Sequence, residues 1–197
     1  MINHTEKWTL IVKIHNLTKA LVIQSEELDP QHLFYFPIII QQRDCLDHII
    51  RAAYGWLHPD NLKKSKNAIS DSKDYNGRQM EKALGHMYRA FFDAADWVSI
   101  LYREKIGESM GNYSLNTIHT IFPNYYTKIV PRLEAISLAI AEVRASKDIV
   151  HTKEILTGVD QYMELIAELA IYMEEVQKTI PNLNKLEFGE TKVNIKN

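Results

Sequence analysis

A chain of 197 residues lies within the range of one domain, and its 46% hydrophobic and 24% charged residues exclude a disordered polar segment. A formal net charge of −2 excludes a generally basic nucleic-acid binder and leaves only a local basic patch for such contacts. The single cysteine, Cys45, excludes an intramolecular disulfide and a Cys-rich zinc site.

Seven glycines and six prolines are few for this length and favour long regular elements. The apolar spacing is helical almost throughout. A first helix is predicted from Thr5 to Glu27, with Trp8, Ile11, Ile14, Leu17 and Leu21 on one stripe and Thr5 as N-cap. Asp29-Pro30 punctuates, and a second helix follows from Pro30 to Leu57. Residues 59–76, rich in Ser, Asn, Asp and Lys, read as a solvated connector. A third helix runs from Arg78 to Lys105, and Gly107 to Asn112 breaks the pattern. Ser114 caps a segment to Ser146 that Pro123 and Pro131 must kink or divide. A last helix opens at Thr152 and stops near Thr179, where Ile180-Pro181 follows. The fold expected is an all-α bundle of about five helices, one domain over residues 1–181, with a non-helical C-terminal tail over 182–197. LEFGETKVNI in that tail has strand character and could add to a protein partner.

The N-terminus, MINHTEKW, lacks the basic and apolar regions of a secretory signal, and no stretch approaches the roughly 18 apolar residues of a spanning helix. The expectation is a cytoplasmic protein with no membrane contact.

One pattern is written twice. Leu46 to Tyr54 reads LDHIIRAAY, and 38 positions on, Leu84 to Phe92 reads LGHMYRAFF. On a helical wheel Leu46 sits amid Ile38, Ile39, Ile49, Ile50, Ala53, Trp56 and Leu57, and Leu84 amid Met87, Tyr88, Phe91, Ala94, Ala95 and Val98. Each arc is predicted to be the core-facing stripe, with a histidine at its edge. If the second and third helices form an antiparallel hairpin, Ile50 and Tyr88 lie level, and His48 and His86 share one polar layer with Arg51, Arg89 and Asp47 around it. The histidines of such a layer serve either as structural bonding partners or as a functional cluster.

Other chemistry is thinner. There is no E-x-x-H pair for a di-metal bundle, no H-E-x-x-H, and no glycine-rich nucleotide loop. A looser metal site could draw on His48, His86 and Asp47 or Asp93, but no metal or other cofactor is expected. Cys45 reads as packing rather than reacting. Aromatics concentrate at 33–37 (LFYFP) and 121–126 (IFPNYY), more than one core buries, and predict a homodimer or larger assembly. Tyr125 and Tyr126 could also stack a base.

Just upstream of the first repeat, Arg43-Asp-Cys-Leu-Asp-His48 has the form R-x4-H with a polar residue after the arginine. It resembles the signature of HEPN proteins, small all-helical domains that commonly dimerise. Many of them are metal-independent endoribonucleases of toxin–antitoxin and antiphage defence systems. The resemblance implies Arg43 and His48 as the catalytic pair, Asp44 orienting the arginine, and RNA as the substrate. Histidine can move a proton near neutral pH, and arginine offers a fixed cation to the developing phosphate charge. Residues five apart on one helix diverge by about 140°, so a dimer or a helix break would have to make this pair converge. The alternative expectation is a non-catalytic helical interaction subunit that binds a protein partner through its bundle surface and tail.

Overall fold

A computed structural model describes residues 4–29, 35–60, 75–145 and 152–189. Of these residues 94% are helical, and no strand occurs among them. The fold is all-α, a bundle of antiparallel neighbours, with six α-helices among the described residues: α1 His4–Leu28, α2 Phe36–Leu57, α3 Tyr75–Met110, α4 Leu115–Ile121, α5 Val130–Ala145 and α6 Thr152–Phe188. Among the described residues no helix is long and apolar enough to cross a membrane. The chain gathers into two compact units, one of Met1–Val98 with Asp148–Val159, the other of Ser99–Lys147 with Asp160–Asn197.

In the first unit α1 buries Leu10, Ile11, Ile14 and Leu21, a helical stripe. Lys7, itself 8% exposed, has its charge satisfied because Nζ donates to the Gly77 carbonyl at 3.1 Å and lies 3.6 Å from Glu81. The α3 stripe is buried as predicted: Leu84, Met87, Tyr88, Phe91, Ala94, Ala95 and Val98 are each at most 5% exposed. The α2 stripe is buried only along one edge, at Ile38, with Ile49 and Ala53 half-buried. Leu46, Ile50 and Leu57 are 58%, 59% and 75% exposed, and Ile39 and Trp56 are exposed as well. What α2 buries is Ile38, Cys45, Ala52 and Gly55. These are mostly small side chains, so the backbones of α2 and α3 come close. At Gly55 an added Cβ would sit 2.0 Å from Asn76 Oδ1 and 3.1 Å from Tyr75. Asn76, with its amide turned to suit its partners, accepts from Trp56 Nε1 at 3.0 Å and donates to the Ala52 carbonyl at 3.3 Å. Cys45 packs here at 1% exposure, and burial pushes its thiol up to about 11, far from reactive.

The second unit corrects the expected boundaries. α3 continues through Gly107 to Met110, and the turn falls at 111–114. Ser114 caps α4, its Oγ accepting from Thr117 N–H at 3.2 Å. The two prolines do divide the next segment: a π-turn at Tyr125–Ile129 follows Pro123, and Pro131 lies in the first turn of α5. Ile106, Met110, Ile118, Phe122, Tyr125, Ile129, Val176 and Leu183 form one buried cluster. The 121–126 aromatics are therefore mainly core, with Tyr126 exposed. α6 does not stop at Pro181 but runs on to Phe188. Tertiary contacts hold the turn beyond the proline: Leu183 is fully buried, Tyr113 donates to Asn184 at 2.7 Å, and Ser114 Oγ donates to Glu187 at 2.9 Å. These offset the backbone bond the proline removes. The helix ends at Gly189, whose φ of +74° suits a C-terminal cap. Residues 182–188 are thus helix rather than tail. The remainder of the tail, 190–197, and residues 61–74 of the expected connector lie outside the described residues.

Candidate functional site

The repeated motifs meet where α2 and α3 pack within the first unit. His48 Nδ1 lies 2.7 Å from Gln79 Oε1, and His86 Nδ1 lies 2.8 Å from Gln41 Oε1. The bonds cross, each histidine holding the glutamine of the opposite helix, and they show that α2 and α3 are antiparallel neighbours. The two rings stack at a centroid distance of 5.3 Å and an interplanar angle of 23°. His48 thus faces the stretch between Gln79 and His86, about two helical turns nearer the start of α3 than position 90, which a level Ile50–Tyr88 pair would set opposite it. Gln41 and Gln79 are themselves 38 positions apart, so the repeat extends upstream as Q-x4-L-x-H-x-x-R-A. The pseudo-twofold polar layer is therefore built of four side chains, two of which the histidine spacing alone does not reveal. Extending the same offset by seven residues would have found both.

An amide oxygen only accepts, so Nδ1 is the donor in each of these bonds. Burial lowers the His86 pKa below 6.5, the Arg89 charge lowers it further, and Asp44 opposes. Arg89 Nη1 is 3.3 Å from His86 Nδ1, and with a proton already on that nitrogen the guanidinium acts there through its charge. Arg51, the counterpart of Arg89, behaves differently: its Nε binds Asp47 Oδ2 at 2.8 Å. The reason is one substitution in the repeat. Asp47 corresponds to Gly85, which offers no carboxylate to hold Arg89 on its own helix. An open groove of about 450 Å³ lies beside the layer, lined by His48, Glu81, Lys82, Gly85, His86 and Arg89.

The R-x4-H pair is placed but not brought together. α2 is continuous from Phe36 to Leu57, with His48 turned to Gln79 and Arg43 exposed. Arg43 Nε and Nη2 both donate to Asp44 Oδ1, at 2.9 and 2.7 Å. That bond holds the Asp44 carboxyl below its ordinary 3.8, with smaller contributions from the charges of Arg43, His86 and His48. Asp44 is therefore the electrostatic link between Arg43 and the histidine layer. Among the described residues no group of three or more His, Cys, Asp or Glu is arranged to hold a metal ion.

The larger departure from the sequence expectation is the outer surface of α2. Leu46, Ile50 and Tyr54 are 58%, 59% and 49% exposed, whereas their counterparts in the repeat, Leu84, Tyr88 and Phe92, are at most 4% exposed. Ile39 and Leu57 extend this apolar strip along the helix, and Phe36 stands at its start. Comparison with protein-family models, with curated proteins and with solved structures finds no match.

Proposed function

We propose that this chain is a helical binding subunit whose docking surface is the outer face of α2. One observation carries the reading: a strip of apolar residues at helical spacing is exposed on α2 while the same pattern on α3 is buried. Contiguous apolar strips of this kind are costly in water and mark surfaces that another body covers. The polar residues beside the strip are already internally paired, Arg43 with Asp44 and Arg51 with Asp47, so the face presents little net charge. The test is whether the fold itself uses the strip. In a Leu46→Lys/Ile50→Lys variant the unfolding free energy should stay within about 1 kcal/mol of the parent, as for surface sites. A loss above about 3 kcal/mol, the size expected for core positions, would refute a docking role.

A second reading is favoured by the groove beside the histidine layer, where imidazoles lie among the cations Lys82 and Arg89. It makes the chain a HEPN-like, metal-independent ribonuclease or an RNA-binding component of a defence system, with His48 moving the proton and a nearby cation meeting the phosphate. Arg43 would first have to leave Asp44. The measurement is cleavage of a generic RNA in EDTA, lost in His48→Ala and in Arg43→Ala. An inactive parent protein removes this reading and leaves the first.

A further inference from the structure

We propose that the occupant of the α2 face is a second copy of this chain, packed antiparallel along α2 about a twofold axis level with position 48. The proposal rests on the docking role argued above and adds the identity and direction of the partner.

The strip is self-complementary. Ile39, Leu46, Ile50 and Leu57 follow one another at steps of seven, four and seven, which keeps all four within an arc of about 40° at 100° per residue. Read backwards, the steps are the same. Ile39 and Leu57 are equidistant from position 48, and so are Leu46 and Ile50. An antiparallel copy therefore sets Ile39 against the partner's Leu57 and Leu46 against the partner's Ile50, and the reverse pairs follow by symmetry. A contact in which each patch meets its own image closes as a dimer and leaves no second face to propagate.

Charge decides the direction. Arg43 lies at the border of that arc, about 20° beyond Ile50 on the wheel, and is 70% exposed at its side chain. A parallel pair would bring it toward the partner's Arg43 along the border of an apolar seam, where like charges repel and partial desolvation is costly. In the antiparallel pair Arg43 stands opposite the partner's Ala53, equidistant from position 48 on the other side, where a methyl group leaves space for the guanidinium and its Asp44 to reach water. Asp47 and Arg51 border the strip as an ion pair made within one helix, so they add neither attraction for a strongly charged partner nor repulsion of a copy. A nucleic acid, which needs cations in excess, is poorly served by this face.

Size sets the strength. The 22 residues of α2 give a strip about 33 Å long and about one helix diameter wide, about 700 Å² over both copies, below the range of stable interfaces and in that of weak, transient ones. The dimer is accordingly expected to dissociate in the micromolar range.

The experiment uses the full chain. Sedimentation from about 5 to about 200 μM spans a micromolar equilibrium and should show two copies at the upper end. Leu46→Glu/Ile50→Glu should weaken association roughly 100-fold or more, with helicity and melting temperature retained. Direction is read in a Cys45→Ala background. Ile39→Cys/Leu57→Cys should form a disulfide between subunits with diamide, and neither single cysteine variant should. Cross-linking by the single variants would overturn the antiparallel arrangement, and a dimer indifferent to the two glutamates would place the contact elsewhere. A parent that stays monomeric overturns the second copy. In that case intact folding of the glutamate variant leaves the docking face to a different protein, whereas collapse of its fold removes the docking role as well.

Discussion

The two histidines are equivalent in sequence, yet replacing them should have unequal effects. In His48→Ala the side-chain oxygen of Gln79 loses its donor, and Gln79 is only 8% exposed, so water cannot readily replace the imidazole. An orphaned buried acceptor costs about 1–3 kcal/mol, and the half-buried ring removed with it adds to that, so about 2–3 kcal/mol is expected. In His86→Ala a ring of the same half-buried class is lost, but the abandoned acceptor is Gln41, which is partly exposed and rehydrates, so only about 1 kcal/mol is expected. At roughly 2–4 °C per kcal/mol for a chain of this size, the losses are about 4–12 °C and about 2–4 °C. The double variant should lose less than the sum, because both substitutions remove the same ring stack, by about 0.5–1.5 kcal/mol. Urea unfolding and thermal melts at pH 7.5 measure all three. Equal losses, a larger loss in His86→Ala, or strict additivity would refute the crossed layer as the source of the effect.

Gly55→Ala should destabilise by about 1–3 kcal/mol in the same assays, although alanine is normally better than glycine in a helix by about 1 kcal/mol, because the new Cβ displaces Asn76 from its bonds to Trp56 and Ala52. His86 has a folded-state pKa lowered by burial and by Arg89, so the unfolded chain takes up that proton first. Its contribution to stability is then fully present above about 6.5 and is lost as the pH falls through the depressed folded value. Gly85→Asp should capture Arg89 as Asp47 captures Arg51, move the His86 titration upward in an NMR pH series, and shrink that acid-side loss; an unmoved titration would show that Arg89 does not set it.

Helix content and the antiparallel pairing of the second and third helices follow from local signals that the fold obeys: 3.6-residue periodicity, the Ser114 cap, and the two prolines after α4. The misplaced ends have tertiary causes. No local rule carries a helix past Pro181, and it continues because Leu183, Asn184 and Glu187 find partners distant in sequence. Gly107 likewise lies inside α3, with nothing within 4 Å of an added Cβ. Glycine weakens a helix without stopping it when Ile106 and Met110 on either side are held in a core. The aromatics at 121–126 exceed what one core buries, but the second unit has a core of its own that takes up Phe122 and Tyr125.

Periodicity could not reveal which side of α2 is covered. It finds an apolar arc and assigns it to the interior, because a stripe of Ile and Leu has nowhere else to go in a lone chain. α2 instead turns a narrow seam of Cys45, Ala52 and Gly55 to the interior and its broad arc outward. Small residues at spacings of seven and three are a packing signal in their own right, since they permit the close approach across which the histidine–glutamine bonds form at 2.7 and 2.8 Å. A helix with two such faces has one more than its own fold requires. The small-residue face, with its four-membered polar layer, fixes α2 against α3 in one register. That leaves the Ile and Leu arc, the more costly of the two to expose, available to a partner, and it also explains why the R-x4-H motif does not converge within a chain: His48 belongs to the inner face and Arg43 to the outer.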